Sequence, residues 1–309
     1  MPNKFASKPA LLSTGFWMLL PTLLGLLVLT YGPALVSLML SFCDWDLLGP
    51  VQFVGLRQYQ LLFTGSGSQP PEALWVGAIT ALFAGVCTVL ETVLSLLLAL
   101  VAFNQLQALG SRLGGLFRTA CLLPMATPAI GAALVWGWLF DPAVGVLNAA
   151  LMALGWLDTP VAWLYTQPWA LGCVILLEIW KATGYNVLLL LAALEALPAD
   201  VLAAARLDGA GGLGLTRQIV LPLLAPMLAF VMTITLIHTL QAFDAVYLLT
   251  QGGPENTTRV AVYALFQNAF IGLDAGRASA MGVLLFLVIA ALTALQMRLS
   301  RARKDTAYG

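Results

Sequence analysis

Long apolar runs alternate with short polar ones along the chain. The apolar runs cover residues 16–42, 75–103, 119–140, 169–197, 223–250 and 278–299. Each is near or above the ~20 residues that carry a helix across a hydrocarbon core. None alternates as a membrane strand would, and a backbone in lipid must satisfy its own polar groups. The pattern therefore predicts an all-α, polytopic membrane protein with six transmembrane helices. Pro21 and Pro33 interrupt the first run, Pro124 and Pro128 the third. The polar stretches read as loops: 43–73, a short one with Arg112 and Arg118, 141–168, 198–222 and 251–277.

Lys4 and Lys8 precede the first run, which makes a cleaved signal peptide the competing reading there. The run is longer than a signal core and lacks a small-x-small exit. Phe42 also stands where a lipoprotein site ending at Cys43 needs a small residue. The run is taken as a retained span.

Charge sets the orientation. With both termini inside, Lys4, Lys8, Arg112, Arg118, Arg206, Arg217, Arg298, Arg301, Arg303 and Lys304 are cytoplasmic, and only Arg57, Arg259 and Arg277 are outside. This positive-inside bias places the 198–222 segment in the cytoplasm.

Composition narrows the class. A charged fraction of 9% beside a hydrophobic fraction of 61% is too apolar for a water-soluble domain of this length. Zero net charge leaves no basic face for nucleic acid. Cys43, Cys87, Cys121 and Cys173 lack metal-ligand spacing and read as small apolar residues. No repeat or low-complexity linker divides the chain, so residues 1–309 form one membrane domain.

The 198–222 segment is the most informative. Pro198 suits the first turn of a helix, and Asp200 complements its N-terminal dipole. Residues 201–208 are mostly good helix formers, and Gly209, Gly211 and Gly212 end the helix. A second amphipathic piece, 213–220, leads through Leu221-Pro222 into the fifth run. This order resembles the cytoplasmic coupling loop of ATP-binding-cassette (ABC) importer permeases: Glu-Ala-Ala, three residues, Gly, then Ile-x-Leu-Pro. Ala204, Ala205, Asp208, Gly209, Ala210, Ile219, Leu221, Pro222 and Pro226 fall on the pattern. Ala203 stands where the family has glutamate, so docking is expected to rest on packing and backbone contacts, with Asp208 as the polar contact.

Two further stretches resemble carbohydrate and glycerol-phosphate importer permeases. One is Ser41-Phe42-x-x-Trp45 with Phe53-x-Gly55-Leu56-x-x-Tyr59. The other runs from Tyr247 through Gly252, Gly253, Pro254, Thr257 and Thr258 to Tyr263 and Phe270. The resemblance implies a six-helix permease in a bacterial inner membrane. It implies a second homologous permease, two ATPase subunits that hold ATP and Mg, and an extracytoplasmic solute-binding protein. The chain itself would bind no cofactor. Gly252, Gly253, Pro254, Thr257 and Thr258 are then expected to touch the binding protein; the plainer reading is a tight turn with Asn256, Thr257 and Thr258 at its surface.

Several polar residues fall at membrane depth: Glu91, Glu178, Lys181, Asn186, His238, Gln241 and Asp244. Ionisable groups there are costly unless paired or facing a polar cavity. Glu178 and Lys181 are three apart and suit an intrahelical pair. The resemblance also extends to Trp180-Lys181 and Gly184-Tyr185-Asn186. It implies that Glu178, Lys181, Tyr185, Asn186, Gln241 and Asp244 belong to the solute path. His238 reads as a hydrogen-bonded packing residue.

Enzyme chemistry finds little support. There is one His, no zinc-protease motif, no nucleophile turn and no phosphate loop, so no catalytic or metal residues are assigned. The rival from another class is an ion- or proton-coupled secondary transporter relaying through Glu91, Glu178, Lys181 and Asp244. That class favours paired broken helices in two repeated halves, and no such pairing stands out. The absence of a basic cluster in the spans favours a neutral carbohydrate over a phosphate ester.

Overall fold

The structure, a computed structural model, describes residues 14–64, 70–109 and 111–308. Lys4 and Lys8 lie outside the described residues. Among the described residues the regular structure is helical apart from one small hairpin. The first span joins α1 (Thr14–Leu26), a π-helical turn (Leu27–Tyr31) and α2 (Gly32–Leu40). Pro33 sits in the first turn of α2, where its missing N–H costs little. Next come β1 (Cys43–Asp44) and β2 (Gln52–Phe53), antiparallel with Cys43 opposite Phe53, and α3 (Arg57–Phe63). Then follow α4 (Glu72–Leu109), α5 (Ser111–Ala126), α6 (Ala129–Leu139), α7 (Val146–Ala153) and α8 (Trp169–Glu195). The 198–222 segment holds α9 (Ala199–Leu207), α10 (Gly212–Leu215) and a π turn (Thr216–Val220). The rest is α11 (Leu221–Leu240), α12 (Asp244–Leu249), α13 (Ala261–Phe266), a π turn (Gln267–Ile271) and α14 (Ala275–Tyr308).

Five helical stretches among the described residues are long and apolar enough to cross a bilayer: Phe16–Leu40, Glu72–Asn104, Trp169–Glu195, Gly212–Leu240 and Ala275–Arg298. The remaining expected span, the third (119–140), is not straight. Gly114–Ala126 and Ala129–Leu139 meet at 92°. Pro128 has no N–H to continue the ladder and takes an extended ψ of 140°, so the chain turns there and restarts.

Two more expectations need correction. The fifth span does not continue to residue 250: α11 ends at Leu240, Gln241 caps it, and α12 is a separate short helix. The expected loops also carry structure. Arg112 and Arg118 belong to α5, and α3, α7 and α13 lie inside the 43–73, 141–168 and 251–277 stretches. These helices are too short to register as runs in a chain dominated by spans.

α4, α8 and α11 form the core. Half of the most apolar stretch of α8 is buried within the chain, against none of the first span's. Near one end Phe83, Cys87, Val174, Leu177 and Val246 pack together; near the other, Ala99, Val187, Leu190, Leu194, Val220 and Leu224 do. Lipid is as apolar as leucine, so close packing and polar bridges hold such helices together. Ser95 Oγ donates to the Thr183 carbonyl at 3.2 Å, and the Thr88 and Thr239 hydroxyls meet at 3.4 Å. All four cysteines are free, Cys87 and Cys173 buried.

Candidate functional site

The 198–222 segment folds around one anchor. Pro198 caps α9, Asp200 lies in its first turn, and Leu202 is buried against Ala99, Leu194 and Val220. The helix closes with paired backbone bonds, Ala210 N–H to the Ala205 carbonyl and Gly209 N–H to that of Arg206. This double bond requires a left-handed residue, and Gly209 supplies it at φ +87°. With Leu202 inward, Ala203, Ala204, Asp208, Gly209 and Pro222 are exposed, and Ala205, Ala210 and Ile219 are half-buried. Leu207 and Leu213, 89% and 88% exposed, are two large apolar side chains that nothing among the described residues covers. A cavity of about 520 Å³ lies beneath, lined by Phe103, Asn104, Leu202, Arg206 and Leu213 among others. Arg118 pairs with Glu195 at the end of α8, where the segment begins.

A second feature lies on α8, α11 and α12. His238, Gln241, Asp244 and Tyr247 recur every third residue across the break after α11, and all four are exposed. Trp180 and Tyr185 are exposed on α8, with Lys181 half-buried beside them. Tyr247 stacks on Phe243 at 5.2 Å, and Trp180 meets Trp136 edge-on at 5.8 Å. A charged group at the centre of a lipid-facing helix costs ~2.5–3.5 kcal/mol, so a face of this composition is built to meet something polar.

Beneath it, Glu178 departs from its expected partner. Its Oε1 lies 3.2 Å from His238 Nδ1, and among the described residues no salt bridge joins it to Lys181. Asn186 is also not on the exposed face: it is buried, and its Nδ2 donates to Thr235 Oγ1 at 3.1 Å, tying α8 to α11. Glu91 is fully buried, and neither carboxyl oxygen has a hydrogen-bond partner among the described residues.

The 250–258 turn packs near the start of α4, at the other end of that long helix from the α9 segment. Gly252 is buried at φ +81°, and a Cβ there would strike the Tyr263 ring. Thr258 is fully buried, donating to the Gly253 carbonyl at 2.8 Å and meeting the Thr250 hydroxyl at 2.8 Å. Thr257 donates to the Pro254 carbonyl. Gly252 and Thr258 therefore shape the turn from within, contrary to a surface role. Gly253, Pro254 and Thr257 are half-buried, while Gln251, Glu255 and Asn256 are exposed and hold positive φ. Beside them Glu72 bridges Arg259 at 2.7 Å and Arg277 at 2.5 Å, and Asn268 donates to it at 3.2 Å. The sequence reading missed this network because Glu72 lies 187 or more residues from each of its partners.

A family model described as binding-protein-dependent transport system inner membrane component matches residues 92–305. The trehalose/maltose transport system permease protein of Thermococcus litoralis is 32% identical over 293 residues, 94% of this chain and 95% of that one. The sn-glycerol-3-phosphate transport system permease protein of Yersinia pestis is 33% identical over 250 residues, 80% of each. A chain from the crystal structure of a bacterial ABC transporter involved in the import of the acidic polysaccharide alginate matches with a TM-score of 0.79 at 23% identity. That match covers 93% of this chain and 94% of the other.

Proposed function

Since the chain belongs to the family of binding-protein-dependent transport system inner membrane components, we propose that it is the permease subunit of an ATP-driven ABC importer for a sugar or related polyol. One observation carries the reading beyond the family. The exposed His238–Gln241–Asp244–Tyr247 strip, with Trp180, Tyr185 and Lys181, combines hydrogen-bonding groups with aromatic faces beside the apolar spans of α8 and α11. Polyhydroxy solutes engage such surfaces, and lipid does not.

In this reading the strip faces the translocation path, closed from the other side by a second homologous permease. The exposed face of α9, with Ala203, Ala204, Leu207 and Asp208, docks on one of two ATPase subunits, which hold ATP and Mg. ATP-driven closure of that pair shifts the permeases between inward- and outward-facing states, each ligand biasing the same equilibrium. The positive-inside bias puts both termini and α9 in the cytoplasm of a bacterium. The 251–257 turn then lies outside, where the solute-loaded binding protein docks through Glu255 and Asn256 together with Gly253, Pro254 and Thr257.

The test is to purify the intact complex, reconstitute it in liposomes and offer maltose, trehalose and glycerol 3-phosphate with the cognate binding protein. ATP-dependent uptake of one solute, with ATPase stimulation by its loaded binding protein, is the expected result. Uptake by this chain alone, driven by an ion gradient, would establish the secondary-transporter alternative instead.

A further inference from the structure

Away from the strip and the α9 segment, a second concave surface is built from polar side chains. A cavity of about 680 Å³ opens between the start of α4 and the 255–277 stretch, within the ~300–1,000 Å³ of small-molecule sites. Its walls include Glu72, Trp75, Glu255, Asn256, Arg259 and Arg277. The floor is held in place from behind. Glu72 pairs with both guanidinium groups, Asn268 donates to the same carboxylate, and Arg259 Nε donates to Gln267. The rim is held as well, since Gln167 donates to Glu255 Oε2 at 3.3 Å. Glu255 and Asn256 take φ of +50° and +61°, a backbone that non-glycine residues seldom adopt and that recurs at ligand sites. Trp75 stands among these groups 42% exposed. A face meant for lipid would not carry four charges, and one meant only for water has no use for an exposed indole.

We propose that this cavity is a separate carbohydrate site, remote from the strip, that takes a neutral mono- or disaccharide with its ring against Trp75 and its hydroxyls on Glu255, Asn256 and Arg277. The inference rests on the importer reading and adds to it a staging site beside the turn assigned to the binding protein. A sugar ring offers an apolar C–H face and a fringe of hydroxyls that both donate and accept. An indole beside an amide, a carboxylate and a guanidinium meets both needs. The charges lining the cavity balance, two carboxylates against two guanidinium groups. An anion would find each guanidinium already claimed by Glu72 and would face Glu255 as well, so a neutral solute fits better than a phosphate ester.

The experiment titrates the purified complex, without binding protein, with maltose, trehalose and glycerol 3-phosphate. The readout is Trp75 emission, taken as the difference between wild type and Trp75→Phe. A saturable change with maltose or trehalose, and none with glycerol 3-phosphate, is the expected result. Asn256→Gly, which relieves the strained backbone and removes one hydrogen-bonding group, should weaken the apparent Kd about tenfold. Glu255→Gln, which keeps a planar hydrogen-bonding group, should stay within about threefold. Gln241→Ala, on the strip, should leave this Kd unchanged, which separates the two sites. ATP-driven sugar uptake by a complex whose Trp75 emission answers to neither sugar would overturn the site and leave the importer standing. So would a response to glycerol 3-phosphate at lower concentration than to the sugars. A response produced only by solute-free binding protein would show that the cavity receives protein rather than sugar. A complex with neither uptake of any of the three solutes nor a Trp75 response would overturn the importer reading and this inference together.

Discussion

Gly184, in the middle of α8, lies directly against the main-chain carbonyl of Cys121 on α5, so that a Cβ built on the glycine would run into that oxygen. The two backbones touch because no side chain separates them, as small residues allow between membrane helices. Gly184→Ala should push α5 off α8 and cost about 1–3 kcal/mol, read as a lower unfolding temperature in detergent and a lower yield of inserted protein. Gly172→Ala on the same helix is the control. A Cβ there meets nothing within 4 Å, so its unfolding temperature should not fall.

The Glu72 network makes a prediction of the opposite kind, since its members are polar. Glu72→Ala would leave Arg259 and Arg277, both largely sheltered, facing each other without a counter-ion. The expected loss is about 2–3 kcal/mol, below the full cost of breaking a buried pair because Arg277 remains partly wetted. Adding Arg277→Ala to Glu72→Ala should recover part of the loss. Thermal unfolding of the four proteins in detergent checks this, and a double variant that adds the two single losses would argue against a shared network.

The spans and the α9 segment were legible in the sequence because their signals are local. A run of apolar residues reports on itself, and so does a helix former followed by Gly209. The 92° turn at Pro128 was half legible: the proline was visible, but its consequence depends on how α5 and α6 pack. Partner choice was not legible. The spacing of Glu178 and Lys181 favoured an intrahelical pair, yet the helix crossing brings His238 to Glu178 instead. Likewise Thr258 looked like a surface hydroxyl and is the buried bolt of its turn. The three-residue spacing of His238, Gln241, Asp244 and Tyr247 stood in the sequence, but it spans a helix break and so escaped a search by helical period.

A pH effect follows from Asp46. Its carboxylate accepts from the Leu48 and Gly49 N–H groups at 3.1 and 2.7 Å, and the Trp45 indole donates to the Gly49 carbonyl at 3.1 Å. The Gly49 and Leu48 bonds hold the Asp46 carboxyl below its ordinary value of 3.8. A lowered value means the turn's stabilisation is fully present above the ordinary carboxylate range and is lost as pH falls through the folded-state value. Fluorescence assigned to Trp45, by difference against Trp45→Phe, should therefore stay constant down to about pH 4 and change only at lower pH. In Asp46→Asn the transition should disappear. A change centred above pH 5 would contradict the assignment.

Leu202 and Leu207 stand five residues apart on α9 and do opposite things. Leu202 is packed into the bundle, and Leu207 is among the most exposed apolar side chains of the chain. Truncating the first should act on this chain alone: Leu202→Ala opens a void beside Val220 and Leu194 and should cost about 2–4 kcal/mol. Changing the second should act on a partner: Leu207→Glu touches nothing here, so the unfolding temperature of the isolated chain should hold while recovery of ATPase subunits in a pull-down falls by about tenfold. Gly209→Val should do both, since a β-branched residue at φ +87° strains the cap that aims α9. If Leu207→Glu lowered the unfolding temperature and left ATPase recovery intact, the outward face of α9 would be a folding surface rather than a docking one.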